Sequence, residues 1–409
     1  MNIFKKTILT GAATAALFVQ TVLPAFAATT ITISGNGSNS DNDADVEIER
    51  ETTVVQENES DIENKIDVDA NTGDNQANDN TGGDVEVETG DADVDVKVQN
   101  STNTNVAEVN GCDCDQDAEV KIIGNGTHSE NEVDLDLKYK TEIYQENDAD
   151  VDNDVDVDAN TGDNDADDNT GGDVKVTTGN SDVKVDLITL ANSNLATKNG
   201  NGNGAGSISA MILDNGSYSD NDIDLELERE VLLDQDNDAD VDNDVDVDSN
   251  TGDNDADDNT GGEVAIETGD SDVKVLVDNM SNFNAADLDC GCILDILAKI
   301  DGNGTDSENE IKAEFEDELE TFQENDDETE NEVDVDSDTG DNEAEDNTEG
   351  NQNGDPSIKT GNGGADVEVH NNSNTNQLGS VDLEGLDWMG HDVNFTFDLN
   401  AFLMALLGL

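Results

Sequence analysis

The sequence predicts an all-β chain, a parallel β-solenoid or β-helix-like stack, and three observations lead there. First, from Asp148 to Asp158 every even position is an aspartate, with Ala149, Val151, Asn153, Val155 and Val157 between them. The same weave returns from Asp238 to Asp248. Successive side chains of a strand point to opposite faces, so each stretch has one apolar and one anionic face. Second, a single unit recurs four times. Its turn block begins at Asn71, Asn160, Asn250 and Asp338, steps of 89, 90 and 88 residues. Units that cannot bury an apolar face alone do so by stacking on their neighbours. Third, aromatic residues are only 3% of the chain and Pro occurs 2 times. That disfavours the competing architecture of tandem β-sandwich domains, which need larger core residues and linkers.

Taken in order, residues 1–27 read as a secretory signal. Lys5 and Lys6 precede an apolar run from Ile8 to Leu23, and Ala25-Phe26-Ala27 resembles a cleavage site. Repeats follow at 28–123, 124–213, 214–301 and, in degenerate form, 302–376. No later stretch is long enough to span a bilayer. The expected setting is therefore secreted, at the surface of or outside a bacterial cell.

Within the second repeat, apolar alternation marks strands at Val133-Leu135-Leu137, Val151-Val155-Val157, Val174-Val176 and Val183-Val185-Leu187. Asn-Gly, Thr-Gly and Gly-Gly pairs punctuate these runs with turn chemistry. Spacings near twenty residues suggest several coils per repeat, with Val and Ala inside and carboxylates outside. Asn64, Asn153, Asn243 and Asn331 occupy equivalent inward positions. Asn36, Asn125, Asn215 and Asn303 match both a glycosylation acceptor and a tight Asn-Gly turn, and the turn suffices.

The charge sets the partners. There are 102 acidic and 16 basic residues, a net charge of -86. Such a composition also marks disorder, so a chain largely disordered without cations is the second fold alternative. Self-repulsion of this size opposes compaction unless cations screen or bind it. Nucleic acid and anionic membranes are excluded by sign.

Each repeat carries Asp-x-Asp-x-Asn/Asp-Thr-Gly-Asp. The residues are Asp67, Asp69, Asn71 and Asp74; Asp156, Asp158, Asn160 and Asp163; Asp246, Asp248, Asn250 and Asp253; and Asp334, Asp336, Asp338 and Asp341. Calcium takes six to eight oxygen ligands, which closely spaced carboxylates and amides around a turn can supply. The first five positions resemble an EF-hand loop, but the glycine comes late, the bidentate glutamate is missing and no helices flank it. Asp79, Asp168, Asp258 and Asp346 lie a turn later and could complete a site. These residues are the expected ligands of calcium or another divalent cation.

Cys112, Cys114, Cys290 and Cys292 form two Cys-x-Cys pairs in the first and third repeats. Outside the cell disulfides are the default, with three pairings open; a shared zinc site would require pairs two repeats apart to meet. His128, His370 and His391 are isolated and expected in solvent. The apolar segment 377–409 reads as a cap on the open end, or as a tail docking on envelope components or another surface protein.

No nucleophile elbow, phosphate loop, metalloprotease motif or Ser-His-Asp arrangement is visible, so the sequence reads as non-enzymatic. A β-helix enzyme acting on acidic polysaccharides would need one singular groove with basic residues, whereas these acids repeat uniformly. The expected role is a calcium-stabilised structural or adhesive element. The alternative is a carboxylate array that sequesters cations or recognises a mineral.

Overall fold

The computed structural model describes residues 4–13, 16–22, 29–110, 117–199, 207–288, 295–348 and 356–379. Among them every regular element is a strand, and each of the four sheets is parallel. The chain is a four-rung solenoid.

One rung consumes a whole repeat. An entry strand (Ala118–Ile123 in the second rung) leads into a long strand of 31 residues, Glu130–Asn160. A corner strand, Val174–Thr177, follows the turn, and a return strand, Ser181–Asn199, runs back. The long strands Asp41–Asn71, Glu130–Asn160, Asp220–Asn250 and Glu308–Asp338 pair residue for residue. Entry, corner and return strands form three further sheets in the same order. At about 3.3 Å per residue the long sheet extends about 100 Å, while four rungs stack to only about 20 Å. The molecule is therefore a flat plank, longest along its strands rather than along its stack.

The coil of about twenty residues expected from the spacings is not the unit of stacking. The inward alternation of Val133, Leu135 and Leu137 continues through Tyr139, Thr141 and Ile143 into polar positions. Gln145, Asn147 and Asn153 all point inward and are buried. They remain in the strand because each bonds its own copy in the next rung. Gln145 Nε2 donates to Gln56 Oε1 at 2.7 Å, and Gln235 repeats this bond to Gln145 at 2.7 Å. Asn64 donates to Asn153 at 2.8 Å, Asn153 to Asn243 at 2.7 Å and Asn243 to Asn331 at 2.8 Å. A buried amide is costly only when unpaired, and here stacking pairs it. The inward role expected for these four asparagines is what the structure has.

The long sheet forms one wall, facing the entry and return sheets. Val133, Leu135 and Leu137 share a core with Val120 and Ile122, and Val155, Val157 and Ala159 with Val94, Val96 and Val185. At the corner, Ala166 and Ala256 pack with Val174, Val176 and Ile266. Aliphatic side chains, many of them small and β-branched, fill this thin interior between two walls about 10 Å apart.

The corner also stays stacked through its backbone. Thr161 N–H donates to Asn250 O at 2.9 Å and Asp163 N–H to Gly252 O at 3.0 Å. A Cβ on Gly162 would lie 1.9 Å from Gly252 O, and one on Gly73 or Gly252 would meet the next rung's glycine as closely, which explains glycine in the Thr-Gly turn of the first three rungs. Residues 4–13 and 16–22, inside the expected signal, lie as strands parallel to Ala92–Asn110, with Phe4 opposite Ala92 and Val22 opposite Asn110.

Candidate cation-binding face

The parallel register converts each sequence repeat into columns of like charge. Asp67, Asp156, Asp246 and Asp334 are direct partners, as are Asp69, Asp158, Asp248 and Asp336. Asn71, Asn160, Asn250 and Asp338 form the next column. Neighbouring strands lie about 4.8 Å apart, where two unit charges repel by about 1 kcal/mol even in water. Burial raises the pKa of Asp158, and the carboxylates of Asp248 and Asp69 above and below add to it. Asp246 and Asp248 are raised for the same reasons, burial first. The effect extends along the sheet to Asp134, Asp150, Asp238 and Asp240.

The asparagines of the predicted ligand sets have another occupation. Asn71 Oδ1 accepts the Gly73 N–H at 2.8 Å, while its Nδ2 donates to Asp74 Oδ2 at 2.6 Å. Asn160 and Asn250 repeat both bonds with Gly162 and Asp163, and with Gly252 and Asp253. The side chain thus builds the turn that redirects the chain. Asp74, Asp163, Asp253 and Asp341 take φ of 57°, 56°, 53° and 48°, and Asp79, Asp168, Asp258 and Asp346 take 60°, 52°, 49° and 49°. Asp and Asn tolerate this left-handed region better than other side chains, so both positions have a backbone reason for their residue type.

A close group of acids lies between those two turns. Asp255, Asp257 and Glu343 bring ligand oxygens within 4.8 Å of one another. Asp165, Asp255 and Glu343 are bridge partners in successive rungs, above the neutral Gln76 of the first. Two residues on, Asp257 N–H donates to Asp167 Oδ1 at 2.6 Å. Asp165 Oδ1 and Asp255 Oδ1 are buried without a hydrogen-bond partner. Burial, then the charges of Asp167, Asp257 and Glu343, push the Asp255 carboxyl up to about 7. Asp167 is raised to about 6, again chiefly by burial, with the Asp257 N–H opposing.

Sequence reasoning passed over this column. Its trace is Asp165-Ala166-Asp167, Asp255-Ala256-Asp257 and Glu343-Ala344-Glu345, where Gln76-Ala77-Asn78 stands in the first repeat. The alanine enters the corner core and turns the flanking acids outward together. All-oxygen donors of this kind suit hard cations such as calcium or magnesium, not zinc or copper.

The other sequence sites fall as follows. Asn125 and Asn215 are 4% and 3% exposed and bonded between rungs, which fits the turn reading rather than a glycan acceptor. His128 is exposed, as expected, and stacks on Tyr218 with ring centroids 5.1 Å apart. The four cysteines and His391 lie outside the described residues. No helix among the described residues is long and apolar enough to cross a membrane. Neither a family model, nor a curated protein, nor a solved structure matches the chain.

Proposed function

We propose that the chain is a secreted structural or adhesive element, a flat β-solenoid plank stiffened by divalent cations held on its stacked carboxylates. The observation that carries this reading is the corner column, where Asp165 Oδ1 and Asp255 Oδ1 are buried without partners beside Asp167, Asp257 and Glu343. An unpaired buried acceptor is costly, and a cation would satisfy these oxygens together while cancelling their repulsion. Calcium fits best, because the donors are all oxygen and the ligand shell it accepts is irregular. The columns from Asp67 to Asp334 and from Asp69 to Asp336 would hold further ions more loosely, facing open solvent. Metal binding and folding are then coupled. Circular dichroism and thermal unfolding of the chain with calcium and after chelation test this at constant ionic strength. Loss of strand signal or a marked fall in melting temperature on chelation is expected; identical melts would reject it.

A second reading is favoured by one feature, the in-register grid of outward carboxylates on the long sheet. Rungs about 4.8 Å apart, with acids at every second residue along each, make a regular anionic lattice. Such a face could adsorb to a calcium mineral, and retention on one in competition with free calcium would support it.

A further inference from the structure

The two ends of the stack are complementary. The asparagine ladders have a direction, each amide donating from the lower rung to the carbonyl oxygen above. Asn58 donates to Asn147 at 2.9 Å and Asn64 to Asn153 at 2.8 Å. The last steps run from Asn237 to Asn325 and from Asn243 to Asn331. Asn325 and Asn331 donate within their own rung, to Asn376 and Asn371, and to nothing above among the described residues. An amide has two N–H donors, so each keeps one for a further rung. The glutamine ladder runs the other way, upper amide to lower carbonyl, and ends with Gln323 Oε1 as an acceptor on top.

The outward columns agree. Lys65 is the base in the column Lys65, Asp154, Asp244, Glu332, and Lys312 in the column Asp45, Asp134, Asp224, Lys312. Each base stands at an end of the stack. The column Val55, Tyr144, Asp234, Phe322 has an apolar residue at both ends, 57% and 56% exposed. One more rung in the same register would set Lys65 on Glu332, Asp45 on Lys312 and Val55 on Phe322. Inward, it would set Ile48 on Phe315, which is 55% exposed at the open end.

We infer that copies of the chain stack head to tail, the first rung of one lying in register on the fourth rung of another, once residues 4–22 have left the first rung. The long strand alone offers 31 residues, as many as the roughly 20–30 a side of a standard interface. Pairing of two fourth rungs is disfavoured, because it would turn the donors of Asn325 and Asn331 toward each other. The acid columns repeat at the joint the repulsion that every rung boundary inside the chain already carries. A net charge of -86 still holds free copies apart, so stacking requires screening.

Residues 4–13 and 16–22 close this joint. Phe4 is opposite Ala92, the residue that Gly363 of another copy would oppose in register. These strands lie within the expected signal, so the inference rests on the secreted reading for their removal. It deepens that reading by naming a second copy as the partner of the plank.

The test folds the full chain with a protease sequence inserted between Ala27 and Ala28, then cuts it and removes the peptide by gel filtration. Mass is followed by light scattering in 1 M sodium chloride with chelator, so neither secretion nor calcium binding enters the outcome. Monomers before cutting and stacks after it are expected, with circular dichroism showing the same strands in both. Uncut chain has an open fourth rung and a closed first rung, so added in minor amount it should end growth and shorten the stacks. Phe322→Asp, which repeats the Asp234 of its own column, should raise the concentration needed for stacking about tenfold. Cut chain that stays monomeric or keeps the peptide overturns the inference, as do stacks formed equally by uncut chain. Stacks indifferent to uncut chain overturn the head-to-tail sense, and stacks indifferent to Phe322→Asp overturn the register.

Discussion

Asn192, held at φ 58° within the return strand, donates its side-chain amide across the core to the backbone carbonyl of Asp238. Asn103 does the same to Asp148, and Asn282 to Asp326. The three also bond one another, Asn103 to Asn192 and Asn192 to Asn282, both at 3.1 Å. This file of left-handed asparagines ties the two walls of the plank at the point where the aspartate weave begins. An Asn192→Ala variant loses the tie and forces a β-carbon residue without a compensating bond into the left-handed region. It should lower stability by about 1–3 kcal/mol. Asn192→Gly keeps the backbone geometry and should lose less, a difference that denaturant unfolding of the two variants resolves.

The inward amide ladder should be intolerant of charge. Asn153 Oδ1 accepts from Asn64 and from Asn100, each at 2.8 Å, while Nδ2 donates to Asn243. Asn153→Asp keeps the size but removes the donor and places a carboxylate at a fully buried position. A cost of about 3–5 kcal/mol is expected, as for a buried charge left without its partner. Asp150, on the outward face of the same strand, offers the comparison, and Asp150→Asn should change the melting temperature little or raise it.

How much of this could be read from residue order differs from element to element. The aspartate weave from Asp148 to Asp158 announces a strand and its two faces, and the recurrence of Asn71-Thr72-Gly73 sets the repeat. The coil size was hidden because Gln145, Asn147 and Asn153 look like interruptions in an apolar pattern. They are core residues only once their copies stack upon them, a relationship between positions 89 or 90 residues apart. The corner column was hidden for the reverse reason. Asp255-Ala256-Asp257 looks like turn chemistry in a chain full of it, and its distinction comes from burial and from Glu343 of the next rung. The Asn-Thr-Gly-Asp blocks drew attention as ligands, while much of their pattern is explained by the turn that they build.

The pH dependence should be the inverse of ordinary acid denaturation. Asp255 and Asp167 are raised from 3.8 to about 7 and about 6, and Asp150, Asp158 and Asp248 are raised too. A raised carboxyl holds its proton more tightly when folded than when unfolded. Its contribution is therefore complete below the unfolded value of 3.8 and disappears as pH rises through the folded value. With divalent cations removed, melting temperature should fall between about pH 4 and pH 7. Added calcium should flatten or reverse that slope, because the metal binds the deprotonated form. Thermal melts from pH 4 to 8, with and without chelator, measure both curves.

Substitution of one corner acid should have opposite consequences in the two conditions. Asp255→Asn removes a charge from a group that includes Asp167, Asp257 and Glu343, and supplies an amide donor to neighbours that are all acceptors. Without divalent cations the variant should be more stable than the wild type, since repulsion and an unpaired acceptor are both relieved. With saturating calcium it should be less stable, because a ligand has gone and the linked binding energy with it. Ala256→Ser, which alters the core side of the same turn, should destabilise in both conditions and so separates packing from charge. The measurement is a melting-temperature series against calcium for the three proteins. A crossing of the wild-type and Asp255→Asn curves is the expected signature, and parallel curves would remove the corner column from the account of how the charge is tolerated.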